Sequence, residues 1–190
     1  KERDFFNDVD DWRPPCETIY CKKGNINNPE IIDTIKKKKP DFIFVFGSSL
    51  LSKEIFSCPK GGCINIHTGL VQHHRGVDSC YWALYEEKPE TIGATVHYID
   101  SSIDGGDILL QETTTLKKTD DEDIIFLKTC QAGIELLCKN VEKIVKNEVK
   151  SYRLKDRGRL YQNKDMTEEI RRDIKNKTKQ VLMKHSARMR

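Results

Sequence analysis

The chain has 190 residues, 33% of them charged and 37% hydrophobic, with a formal net charge of +3. That length supports a core without disulfide staples and bounds the chain to one domain, or one domain with a tail. The small positive balance gives no argument for a nucleic-acid partner, and no apolar run approaches the roughly 20 residues of a membrane helix, which argues against a membrane association.

The seven cysteines are odd in number and scattered. There is no CxxC, and no second pair at metal-ligand spacing follows Cys58 and Cys63. They are therefore expected as reduced thiols of a cytoplasmic protein, some of them core fillers, with no metal site. The opening Lys1-Glu2-Arg3-Asp4 has neither an initiator Met nor a secretory h-region, so residues are expected upstream.

Residues 1–16 read as a polar loop with Pro14-Pro15 as a breaker, and 18–21 as a short strand. Asn28 and Pro29 then suit the cap and first position of a helix whose apolar side is Ile31, Ile32 and Ile35, ending at the lysines and Pro40. The run 41–46 is continuously apolar, as in a strand buried on both faces. A short helix over 52–56 and a turn at Pro59-Lys60-Gly61-Gly62 lead to a strand over 63–66. The strand–helix alternation predicts an α/β fold.

An irregular polar loop over 68–78 precedes a helix over 79–87 with Tyr81, Trp82 and Tyr85. Strands follow over 91–99 and 108–116, joined by the acidic loop 100–107, a plausible antiparallel connection. A long helix starts at Thr119 or Asp120 and runs to about Val145, with Ile124, Leu127, Ile134, Leu137, Val141 and Ile144 at helical spacing. Residues 1–150 are thus expected as the core and 151–190 as an extension or charged tail, in which 167–190 reads as a highly charged, weakly apolar helix or tail without a clear apolar seam.

One feature of the strand over 63–66 points to chemistry. Asn65 and His67 are two apart and share one face of an otherwise apolar strand, and buried polar groups need partners. The loop Ser101-Ser102-Ile103-Asp104-Gly105-Gly106-Asp107 is the candidate to supply one. An amide, an imidazole and a carboxylate at one site suit acyl transfer: the amide donates to a developing oxyanion, and His and Asp move protons. No GxSxG occurs and no Cys adjoins His67, which favours direct attack by a substrate amine over a covalent enzyme intermediate.

Asn65-Ile66-His67, Arg75-Gly76, Tyr81-Trp82-Ala83-Leu84, Ile92-Gly93-Ala94-Thr95-Val96-His97 and Ile103-Asp104-Gly105-Gly106-Asp107-Ile108-Leu109 run in the order found in the folate-dependent formyltransferases, which the chain resembles over roughly residues 40–116. The resemblance implies a Rossmann-like core with a mixed, mainly parallel sheet flanked by helices, its N-terminal part absent. It implies formyl transfer from N10-formyltetrahydrofolate to a primary amine by Asn65, His67 and Asp104. In that mechanism Asn65 and protonated His67 stabilise the oxyanion while Asp104 assists His67. The folate would sit between the 46–51 turn, with Ser49, Leu50 and Leu51, and the loop bearing Asp100 and Asp104. Gln72, Arg75 and Trp82 are the substrate-side candidates, although Tyr81 and Trp82 also read as core or pocket wall.

Within the family the chain is most similar to sugar N-formyltransferases, which act on nucleotide-linked amino sugars. This rests on His67-Thr68-Gly69 in place of His-Pro-Ser, on the run from Gly76 to Tyr85 and on Gly158-Arg159-Leu160-Tyr161-Gln162-Asn163-Lys164-Asp165. The family also allows a homodimer. Alternatives are another small-amine formyltransferase, such as one acting on glycinamide ribonucleotide, and a non-catalytic folate or nucleotide-sugar binding module. His73 and His74 read as loop residues and His97 as a structural histidine.

Overall fold

Asn28 caps the first helix with extended backbone and Pro29 occupies its first position, giving α1 (Pro29–Lys38). Glu30 lies in its first turn and Lys36, Lys37 and Lys38 in its last, so both ends complement the helix dipole. In this computed structural model, which describes Phe5 and residues 15–188, the strand expected over 18–21 is absent and that stretch is irregular. Of the loop expected over 1–16, all but Phe5, Pro15 and Cys16 lies outside the described residues.

Next come β1 (Ile43–Phe46), α2 (Lys53–Phe56), β2 (Cys63–His67), β3 (His74–Gly76), α3 (Ser79–Tyr85), β4 (Gly93–Tyr98), β5 (Ile108–Thr113), α4 (Glu122–Val145), β6 (Arg159–Tyr161) and α5 (Glu168–Arg188). The order β1-β2-β4-β5 makes a mixed sheet: β1 and β2 are parallel, while β2, β4 and β5 run antiparallel in turn. Helices flank this sheet, as expected for the α/β class.

The strand over β1 is not buried on both faces. It is an outer strand of the described sheet, with a neighbour on one side only, so Phe44 and Phe46 are 39% and 45% exposed. By contrast β2 is central, and Cys63, Ile64, Ile66 and His67 are buried. Ile64, Ile66, Val96 and Leu109 pack with Leu137 and Ile144 of α4, which therefore covers the sheet. Asp121 caps α4 by accepting from the Ile124 N–H at 2.9 Å.

Two parts of the sequence make contacts that their local pattern does not show. The loop over 68–78 contains β3, which pairs in parallel with β6 through His74↔Arg159 and Gly76↔Tyr161. Three residues carry too little periodicity to reveal such a strand, and its partner lies far along the chain. The charged C-terminal stretch is α5, and it has an apolar seam after all. Ile174, Val181 and Leu182 pack against Trp82, Ala83 and Leu84 of α3. With Thr178 buried between them, they form a stripe one residue wide, too narrow to stand out among the charges.

All seven cysteines are free thiols, and Cys63, Cys80 and Cys130 are buried. Burial pushes the Cys63 thiol up to about 11 and the Cys80 thiol up to about 12. Among the described residues, no helix is long and apolar enough to cross a membrane, and no group of three or more His, Cys, Asp or Glu side chains is placed to hold a metal ion.

Candidate active site

The polar face of β2 meets its partners through strand register. Asn65 pairs with His97 of β4 and His67 with Thr95, so each pair points to one side of the sheet. A bulge between Val96 and His97 shifts the β4–β5 ladder at that point. His97 Nδ1 is 2.8 Å from the Tyr98 carbonyl. In the neutral ring that leaves Nε2 free to accept from the amide of Asn65, at 3.2 Å.

Asp104 arrives from the loop between β4 and β5. Its backbone is left-handed, with φ of 47°, a conformation Asp tolerates better than most residues. The carboxylate lies between two imidazoles: Oδ2 is 3.4 Å from Nδ1 of His67 and Oδ1 is 3.5 Å from Nε2 of His97. The Gly76 N–H donates to Oδ2 at 2.7 Å. Gly76 has no room for a side chain, since a Cβ there would lie 2.0 Å from the Tyr161 carbonyl oxygen. Burial alone would raise the Asp104 pKa, but the adjoining His97 ring, the field of His67 and the Gly76 N–H outweigh it and hold the group down to about 2. His67 is 6% exposed, and burial moves it below its ordinary value against the pull of Asp104. Its Nε2 lies 3.1 Å from the His74 carbonyl and 3.0 Å from the Ser79 hydroxyl.

A cavity of about 210 Å³ opens beside this cluster, lined by Val45, Phe56, Asn65, His97, residues 48–51 and residues 99–104. Ser49, Leu50, Leu51, Asp100 and Asp104 all lie on its wall. His67 sits one layer behind, with both ring nitrogens occupied, so the expected direct contact of His67 with an oxyanion is not what this arrangement offers. A larger cavity of about 480 Å³, between residues 113–118 and the end of α5, contains none of these groups, and size alone does not make it the site.

The three substrate-side candidates are placed elsewhere. Trp82 is 3% exposed and stacks on Tyr161 with ring centroids 4.0 Å apart, so it is core. Arg75 donates to the Gly158 carbonyl at 2.8 Å and the Ile103 carbonyl at 3.1 Å, which makes it a brace behind the Asp104 loop. The Gln72 amide oxygen accepts from Gln111 at 2.7 Å, and Gln72 does not line the cavity. Conversely, His97, read from the sequence as a structural histidine, and Ser79, which the sequence reading did not single out, stand within hydrogen-bond distance of Asn65 and His67. The same-face position of His97 opposite Asn65 depends on a strand pairing that one strand alone does not reveal, and Ser79 carries no local signal.

A family model described as Formyl transferase matches residues 12–141. The bifunctional polymyxin resistance protein ArnA of Wigglesworthia glossinidia brevipalpis is 36% identical over 126 residues, covering 66% of this chain and 19% of that protein. A methionyl-tRNA formyltransferase of Caldanaerobacter subterraneus subsp. tengcongensis is 31% identical over 136 residues, covering 71% of this chain and 44% of its own. The chain thus spans less than half the length of these relatives. Among solved structures, a 4-N formyltransferase from Francisella tularensis matches at 28% identity and TM-score 0.61, covering 70% of this chain and 53% of that one. The formyltransferase PseJ from Anoxybacillus kamchatkensis, solved with UDP-4,6-dideoxy-4-formamido-L-AltNAc and tetrahydrofolate, matches at 25% identity and TM-score 0.61, covering 86% and 80%.

Proposed function

The chain belongs to the formyl transferase family, and from that premise we propose that it moves a formyl group from N10-formyltetrahydrofolate to the primary amine of a nucleotide-linked amino sugar, using Asn65, His67 and Asp104. The observation that carries this reading is the meeting of Asp104 with His67 and His97 at the wall of the cavity that Asn65 also lines. The cavity suits a flat heteroaromatic ring with polar edges. Val45, Leu50, Leu51 and Phe56 supply apolar wall, and the two loops bring backbone groups and Ser49 and Asp100 to it.

Transfer takes one proton from the attacking amine and gives one to the folate nitrogen that releases the formyl group. Asn65 is the donor to the charge growing on the formyl oxygen, with one amide hydrogen held by His97 and the other free for the cavity. Asp104, ionised at neutral pH, draws the proton off the amine. His67, neutral at pH 7 because it is buried, points its Nδ1–H at the far side of the carboxylate and steadies it while Asp104 passes the proton on to the folate nitrogen as the formyl C–N bond breaks. Seven free thiols fit a cytoplasmic setting for this chemistry.

The preference for a sugar amine is supported by the nucleotide-sugar complex of PseJ and by the two runs that resemble the sugar enzymes. Those runs pack on one another, Trp82 against Tyr161 and Val77 N–H to the Tyr161 carbonyl at 3.1 Å, as one unit. A second reading, transfer to methionyl-tRNA, is favoured by the identity to those relatives. Folate-dependent formylation of UDP- and dTDP-amino sugars, methionyl-tRNA and glycinamide ribonucleotide, run side by side, tests both. Turnover of an amino sugar alone is the expected result. Turnover of the tRNA alone overturns the sugar reading, and folate binding without turnover of any amine overturns the enzyme.

A further inference from the structure

The two ring nitrogens of His67 meet different kinds of group. Nδ1 faces the carboxylate of Asp104 at 3.4 Å. Nε2 faces two groups at once, the His74 carbonyl at 3.1 Å and the Ser79 hydroxyl at 3.0 Å. A carbonyl can only accept, whereas a hydroxyl can accept or donate. The imidazolium is therefore satisfied on both sides, by Asp104 and by the His74 carbonyl. Once Nε2 loses its proton, its lone pair would face a carbonyl oxygen inside a buried site, which is unfavourable. The hydroxyl can then turn and donate.

We propose that Ser79 is a positioning residue of formyl transfer: its hydroxyl supplies a donor to Nε2 of the neutral His67 ring, so the imidazole keeps its Nδ1–H on Asp104 without turning away. This rests on the reading that His67 takes part in the reaction.

A second, independent observation concerns the room made for that hydroxyl. A Cβ on Gly69 would lie 2.5 Å from the Ser79 Cβ and 2.6 Å from His67 Nε2. Those separations are too short to exist, so the bare backbone at Gly69 and the hydroxyl of Ser79 are complementary. Ser79 is 2% exposed, and His67 is the only hydrogen-bond partner of its hydroxyl among the described residues. It stands at the first position of α3, anchored by Cys80, Trp82 and Ala83 in the core, so the hydroxyl is delivered from a rigid element.

Few other charges bear on the ring. Asp104 favours its protonated form, while His97, with ring centroids 6.5 Å away, disfavours it. The His74 side chain is turned away, its Nε2 3.4 Å from Glu86. Burial is the largest influence and favours the neutral ring, the form Ser79 serves. Removing the hydroxyl withdraws support from the neutral form alone, so the His67 titration moves upward.

The test is an NMR titration of the ¹⁵N-labelled ring of His67 in the full chain, alongside the pH dependence of kcat. Ser79→Ala is expected to raise the His67 midpoint by about half to one pH unit, with the acidic limb of the kcat profile moving equally. Ser79→Thr, which keeps a hydroxyl, restores both. An unmoved or lowered midpoint in Ser79→Ala, with its unfolding midpoint at the wild-type value, overturns the proposal. A midpoint that rises while the rate profile stays put upholds the Ser79–His67 contact and overturns instead the part of His67 in the reaction.

Discussion

Asn65 and His97 face each other across the β2–β4 ladder, with Nδ2 of the amide 3.2 Å from Nε2 of the ring. The ring selects which way the amide points and leaves its second hydrogen for the cavity. Asn65→Ala is therefore expected to lower kcat by about 10²–10³, the usual loss on deleting an oxyanion donor. His97→Ala should lower it by roughly tenfold, since a mispositioned donor is weakened and not removed. Steady-state kinetics checks both; a loss below tenfold in Asn65→Ala removes the assigned role.

Arg75 tests whether a conspicuous cation binds substrate or holds backbone. Its guanidinium ties the Gly158 carbonyl to the Ile103 carbonyl next to Asp104. Arg75→Ala should reduce kcat by about tenfold or more through a displaced carboxylate, with little change in the KM of the amine. A rise in KM at unchanged kcat is the signature of a substrate contact and contradicts the brace.

The Asp104 carboxyl sits at about 2 in the folded chain against an ordinary 3.8. A folded pKa below the unfolded one stabilises the fold fully above about pH 4, and that contribution disappears as pH falls toward 2. The shift corresponds to on the order of 2 kcal/mol. Urea unfolding of wild type and Asp104→Asn should thus differ most near pH 7 and converge near pH 2. Curves that stay equally far apart at both ends refute the linkage.

The last helix offers a contrast between faces. Leu182 is 1% exposed in the cluster with Trp82 and Leu84, whereas Lys175 on the same helix is exposed. Leu182→Ala should destabilise the chain by about 2–5 kcal/mol and Lys175→Ala by no more than about 0.5 kcal/mol. Denaturant midpoints decide it, and equal small effects would make α5 an appendage.

The sequence by itself determined the α/β class, the long helix α4 and the face shared by Asn65 and His67. These follow from local rules: helical spacing, a cap, and the two-residue repeat of a strand. The spacing of several short motifs along the chain also carried the link from Asn65 and His67 to Asp104. Only the tertiary structure decided what surrounds them. It pairs β4 with β2, which turns His97 from a structural residue into the partner of Asn65. It pairs β3 with β6 and directs Arg75 to carbonyls, stacks Trp82 into the core, and closes Ser79 onto His67 over Gly69. Each of these depends on contacts between elements far apart in the chain, and hydrophobic periodicity records which face of an element is buried without recording what is buried against it.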